Sequence, residues 1–97
     1  MPWVLEIRKE DLSVADRLVV EDGVLTLGRQ DCDINLDDTK ISKNHCTFYL
    51  HGGQFTLVDN SSTNGTFVNG HRIDKRDLRN NDIIIVGSTN IKVVNEQ

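Results

Sequence analysis

Two Asn-Gly dipeptides lie five residues apart, Asn64-Gly65 and Asn69-Gly70, in the stretch DNSSTNGTFVNG. Asn and Gly both tolerate positive φ, which tight β-turns demand, so this spacing leaves room only for very short strands. Turn chemistry recurs along the whole chain: Asp22-Gly23, Gly52-Gly53 and Gly87-Ser88 also punctuate short apolar runs. No segment between these breaks carries a convincing helical period. An all-β sandwich of about ten to eleven short, mostly antiparallel strands is the economical architecture.

The runs can be placed in order. Trp3, Leu5 and Ile7 alternate with Val4, Glu6 and Arg8, predicting a first strand. The charged stretch 9–16 is expected to loop, with one helical turn as the alternative. Residues 18–20 and 24–27 flank Glu21-Asp22-Gly23, so a hairpin over 17–27 is expected. A short strand over 34–36 follows. Then Cys46, Phe48 and Leu50 alternate with Thr47 and Tyr49, and Phe55 and Leu57 are predicted to face inward. Strands at 67–68 and 71–73 flank Asn69-Gly70, and two more are expected over 82–86 and 90–94. Asn64-Gly65 fits either a surface hairpin or a rigid mount for a binding side chain; the two readings are compatible.

Ninety-seven residues make one domain, 1–97, expected to be the N-terminal module of a longer protein. The net charge of −4 argues against direct nucleic-acid binding, which needs a basic face. No apolar run is long enough to cross a bilayer and no signal-peptide pattern opens the chain, so no membrane partner and an intracellular setting are expected. The two cysteines, Cys32 and Cys46, are expected to be free, buried thiols. Ser42, His45 and Asp59 could be arranged as a hydrolytic triad. The Gly-x-Ser-x-Gly elbow is absent, however, and no enzyme activity is expected. Asp31, Asp33, Asp37 and Asp38 lack calcium-loop spacing and no Cys/His cluster has zinc spacing, so no metal and no cofactor are expected. These aspartates read instead as tuning local charge or selecting basic residues in a bound peptide.

Gly28-Arg29, then Ser42-x-x-His45, then Ser62-Thr63-Asn64-Gly65-Thr66, in this order and near these separations, resemble the forkhead-associated (FHA) domain. The resemblance runs from about Leu18 to Val94. It implies a β-sandwich with its binding loops at one end, reading phosphothreonine in a partner protein or peptide. It further implies phosphopeptide-binding roles for Arg29, Ser42, Lys43, Thr63 and Asn64. Gly28, His45, Gly65, Thr66 and Asn69 would then shape or brace the loops, and Lys40 would read an acidic third residue after the phosphothreonine. The residue chemistry fits these roles. A phosphothreonine carries about −1.5 to −2 charges and three strong acceptors. The planar fork of Arg29 can donate two parallel hydrogen bonds, Ser42 offers a hydroxyl and its amide, and the amide of Asn64 can pair with an extended peptide in both directions. Family occurrence suggests nuclear DNA-damage or cell-cycle signalling. The alternative function is a phosphate-independent interaction or homodimer module using a sandwich face.

Overall fold

The computed structural model describes residues 2–8 and 13–96. Eleven strands run in order through them: β1 (Trp3–Arg8), β2 (Val14–Val20), β3 (Gly23–Gly28), β4 (Ile34–Asn35), β5 (Cys46–His51), β6 (Gln54–Asp59), β7 (Thr66–Val68), β8 (His71–Ile73), β9 (Lys75–Asp77), β10 (Ile83–Val86) and β11 (Thr89–Asn95). One sheet has six strands ordered β2-β1-β11-β10-β7-β8, and the other has five ordered β4-β3-β5-β6-β9. Among the described residues the strand pairings are antiparallel except that of β3 with the two-residue β4. The architecture is a β-sandwich. Of the loop expected over 9–16, residues 9–12 lie outside the described residues, and Val14 to Asp16 belong to β2.

The core follows from alternation. Leu5, Leu27, Phe48, Leu57, Val68, Ile84 and Ile91 are fully buried between the sheets. Phe55 anchors an aromatic cluster, with ring centroids 5.2 Å from Trp3 and 5.5 Å from Phe48. Trp3 packs inward and donates its indole N–H to the Gly53 carbonyl at 3.2 Å, satisfying the polar end of a buried ring. Tyr49 and Val19 face water. Cys46 and Cys32 are free, Cys46 buried and Cys32 half-buried. Burial pushes the Cys46 thiol up to about 12, so it stays an inert protonated packing group.

Two expected hairpins are corrected. β2 pairs with β1 and β3 pairs with β5, so the segment 17–27 is a crossing between sheets. Glu21-Asp22-Gly23 turns the chain, but Val20 and Leu27 bury into the common core from opposite layers. Burial decides the sheet, and sequence adjacency does not. The two Asn-Gly pairs also differ. Asn69 (φ 51°) and Gly70 (φ 84°) both adopt positive φ, as a two-residue hairpin turn requires, and they join the paired strands β7 and β8. At Asn64-Gly65 only Gly65 does so (φ 90°), and the loop before Thr66 carries the chain from the five-stranded sheet to the six-stranded one.

Candidate phosphopeptide site

Three connections meet at one end of the sandwich: 29–33 after β3, 36–45 between β4 and β5, and 60–65 between β6 and β7. Arg29, Thr39, Lys40, Ile41, Ser42, Lys43, Thr63 and Asn64 line a shallow depression there of about 330 Å³. Three cations and no carboxylate line it, although the chain as a whole carries −4. Among the described residues none of these three cations forms an ion pair, since the two present are Arg8–Glu6 and Arg17–Glu96. All five residues expected to bind phosphopeptide line this depression, and Lys40 lines it beside them.

The loops are locked to one another by backbone bonds. The Arg29 amide is shared between the carbonyls of Ser42 (3.1 Å) and Lys43 (3.2 Å), which ties the first loop to the second. This close approach explains Gly28. A Cβ there would sit 1.9 Å from the Lys43 carbonyl oxygen, so the requirement is space, and the backbone angle is ordinary. The Cys32 thiol lies 3.3 Å from the same carbonyl.

His45 is completely buried and bridges the second and third loops. Its Nδ1 accepts the Ser42 amide at 3.0 Å, which leaves Nε2–H to donate to the Gly65 carbonyl at 2.9 Å. Its own amide bonds Leu27. The ring is therefore the neutral Nε2–H tautomer, with no free valence for a ligand or a proton relay. The imagined triad does not form, because Asp59 is committed to other hydrogen bonds and both nitrogens of His45 are taken. One sequence reading also changes. The Ser42 amide is consumed by His45 and is not a free donor, while the Ser42 hydroxyl oxygen accepts the Thr63 amide at 3.1 Å and keeps its own proton to give outward.

Asn64 donates one amide hydrogen to the Lys40 carbonyl at 2.7 Å, which fixes which end of the amide is nitrogen. Its Oδ1 and second hydrogen remain, one acceptor and one donor, the pair an extended backbone needs. Gly65 is buried at φ 90°, and an added Cβ would meet the Arg72 Nε at 2.9 Å. Asn69 takes no part in the depression. Its side chain bonds Asp82 at 2.9 Å and the Ile83 amide at 2.9 Å, bracing the β7–β8 turn against β10.

Sequence reasoning missed the bracket beneath the third loop. Asp59 accepts the Ser62 hydroxyl at 2.5 Å, the Thr66 hydroxyl at 2.7 Å and the Ser62 amide at 3.1 Å. The Ser62 hydroxyl in turn accepts the Gly65 amide at 3.1 Å. Asn60 extends the lattice to Asn44 (3.0 Å) and Thr47 (2.9 Å). A carboxylate at a strand exit followed three residues later by serine was the available signal, since such side chains bond local amides. The acidic residues also need correction. The Asp33 carboxylate accepts the Thr26 amide and hydroxyl, and that of Asp38 accepts three donors, so both charges are held in place by local hydrogen bonds.

Burial alone would raise the Asp59 carboxyl. Hydrogen bonds from Ser62 and Thr66 outweigh it and hold the carboxyl below its ordinary value. A depressed carboxylate stabilises the fold above its unfolded pKa, and that contribution disappears as pH falls through the folded value. Thermal unfolding of wild type and Asp59→Asn should therefore show a larger Tm loss in wild type between pH 5 and pH 3. Equal losses in both would contradict the bracket.

A family model described as FHA domain matches residues 25–87. The chain is 37% identical over 84 residues to the glycogen accumulation regulator GarA of Mycolicibacterium smegmatis, covering 86% of this chain and 53% of that protein. It is 33% identical over 92 residues to the oxoglutarate dehydrogenase inhibitor of Corynebacterium jeikeium, covering 94% of this chain and 64% of that protein. The chain thus spans less than two thirds of either relative's length. Among solved structures, an FHA domain from a structural and functional analysis of phosphothreonine-dependent FHA domain interactions superposes with a TM-score of 0.90 at 28% identity, covering 100% of this chain and 99% of that one. With the ordered Gly-Arg, Ser-x-x-His and Asn-Gly-Thr elements gathered at one end of an eleven-stranded sandwich, and the family model matching most of the chain, this protein belongs to the FHA domain family.

Proposed function

We propose that this chain is a phosphothreonine-dependent protein-interaction module whose recognition surface is the depression between Arg29, Ser42, Lys43, Thr63 and Asn64. One observation carries the reading: three cations with no ion pair among the described residues line, together with Ser42 and Thr63, a carboxylate-free depression of an acidic protein. Arg29 supplies the bidentate fork, Lys43 a second positive charge, and Ser42 and Thr63 hydroxyl donors. Asn64 holds the peptide backbone. Charge-assisted hydrogen bonds contribute roughly 1.5–3 kcal/mol each. Three or four, less the ordering of a peptide, give an affinity on the order of micromolar, about −8 kcal/mol. No step here is catalytic.

The names of the two relatives, a glycogen accumulation regulator and an oxoglutarate dehydrogenase inhibitor, support a bacterial metabolic-control setting. They give no support to DNA-damage or cell-cycle signalling or to a nuclear location. No helix among the described residues is long and apolar enough to cross a membrane.

The test is titration of the domain with matched phosphothreonine, phosphoserine and unphosphorylated peptides. Phosphothreonine should bind more tightly than phosphoserine by at least the roughly fourfold that one buried methyl supplies, about 0.8 kcal/mol. The unphosphorylated peptide should not bind measurably. Equal affinity for all three peptides would sink the proposal. Within the series, an acidic third residue should strengthen binding through Lys40; weaker binding than with alanine there would count against Lys40 as the reader.

A second reading, pairing of two copies through the outer face of the five-stranded sheet, is favoured by the cross-strand neighbours Val24 and Tyr49, which are 61% and 43% exposed. Sedimentation at tens of micromolar separates the two, since that reading requires dimer without any phosphate.

A further inference from the structure

Asp38 sits on the connection between β4 and β5, just before Lys40 and Ser42, and does not line the depression. Three donors converge on its carboxylate. One oxygen accepts the Ser88 amide at 2.7 Å and the Thr89 hydroxyl at 3.0 Å, and the other accepts the Lys40 amide at 3.0 Å. Ser88 lies in the β10–β11 connection and Thr89 opens β11, both in the six-stranded sheet, whereas β4 and β5 belong to the five-stranded one. The side chain is therefore a bolt between layers. The Asp38 carbonyl also accepts the Ile41 amide at 3.0 Å, closing a tight turn whose far end is nailed into the core by Ile41, 1% exposed. Gly87 shows how closely the bolt is fitted, because a Cβ there would come within 2.7 Å of the same carboxylate. Burial would raise this carboxyl, but its hydrogen bonds from Ser88, Lys40 and Thr89 keep it below 3.8.

We propose that Asp38 is a positioning residue for phosphopeptide recognition: by holding the backbone at Lys40 to the Gly87–Thr89 turn it sets the Asn64 side chain and the Ser42 hydroxyl in their binding orientation. Lys40 is clamped from both sides. Its amide goes to Asp38, and its carbonyl receives the Asn64 amide hydrogen at 2.7 Å. Two residues on, the Ser42 hydroxyl takes the Thr63 amide at 3.1 Å, so a displaced Lys40 disturbs both reading loops. The inference rests on the phosphopeptide reading of the site. It replaces the idea that this aspartate selects a basic peptide residue, because a carboxylate already accepting from three donors has little left to offer a ligand.

Replacing Asp38 by Asn puts an N–H pair where one set of donors needs an acceptor, so the bolt loses one side. Thr89→Val removes a single bond to the same oxygen and keeps the side-chain shape. Anisotropy titrations of a labelled phosphothreonine peptide, made well below every Tm, should show Asp38→Asn binding about tenfold more weakly and Thr89→Val about threefold. The double variant should bind no more weakly than Asp38→Asn, because both changes cut the same link. In the free protein, nitrogen–proton spectra should show the Asn64 side-chain amide shifted in both variants, a signature that loss of general stability does not produce. Wild-type affinity in folded Asp38→Asn, or a double variant about thirtyfold weaker, overturns this inference alone. Failure of the wild type to bind any phosphothreonine peptide overturns the site assignment and the inference with it.

Discussion

Arg29→Ala should abolish phosphothreonine binding in practice, weakening it at least a hundredfold, while the domain melts within a few degrees of wild type. The side chain is exposed, lines the depression and pairs with no carboxylate among the described residues. The bonds that organise the loop come from the Arg29 backbone amide, which alanine retains. Losing two parallel charge-assisted hydrogen bonds to a dianion corresponds to about 3 kcal/mol or more. Lysine should not restore this, because a point charge replaces a fork. Calorimetric titration and a melting curve on the same preparation separate the two effects. A folded Arg29→Ala domain with wild-type affinity would remove Arg29 as the anchor.

His45→Ala makes the opposite kind of change, large in stability and indirect in binding. The ring touches no solvent, so it cannot contact a ligand. Its removal leaves the Ser42 amide and the Gly65 carbonyl without partners and opens a cavity between the loops. Each buried unsatisfied group costs about 1–3 kcal/mol. A total of about 3 kcal/mol corresponds to a Tm lower by roughly 10–20 °C in a domain of this size. Binding should fall as well, since Ser42 and Asn64 both lose their reference points. Asparagine at 45 should recover little, because its shorter amide cannot span both partners. An unchanged melting curve would contradict the bridging role.

The contrast between these variants indicates what could be read from the residues and what could not. Alternation placed Phe55 and Leu57 inside and Phe48 on one face with Cys46 and Leu50, because a two-residue period with one buried face leaves little freedom, while the face of Trp3 stayed open. Asn69-Gly70 was legible as a hairpin for the same local reason, two positive φ angles in succession. Asn64-Gly65 looked identical in sequence, yet it ends a crossover, because Phe55 and Leu57 on one side and Val68 on the other bury from different layers. Turn chemistry says where the chain bends and is silent on which sheet it enters next. The same gap produced the expected hairpin over 17–27.

Around the site, spacing brought out the residues that face the depression but not those behind them. Asp38 read as a local charge and Asp59 only as a member of a rejected triad, since nothing local reveals that Thr89 or Thr66 will come back to meet them. Their partners lie seven and fifty-one positions away. Such brackets are tertiary facts, set by how two sheets stack. On the proposed reading they also hold the surface rigid enough to discriminate a phosphothreonine, whose methyl alone offers only about 0.8 kcal/mol.

The central claim, that this depression recognises phosphothreonine, is tested most directly by a nitrogen–proton NMR titration with a phosphothreonine peptide and its unphosphorylated twin. The phosphopeptide should shift the Arg29 guanidinium, the amides of Ser42 to Lys43 and of Thr63 to Asn64, and the Asn64 side chain, with saturation in the micromolar range. The unphosphorylated peptide should leave all of them in place. Perturbations confined to Val24 and Tyr49 on the outer sheet face, or identical for the two peptides, would contradict the account.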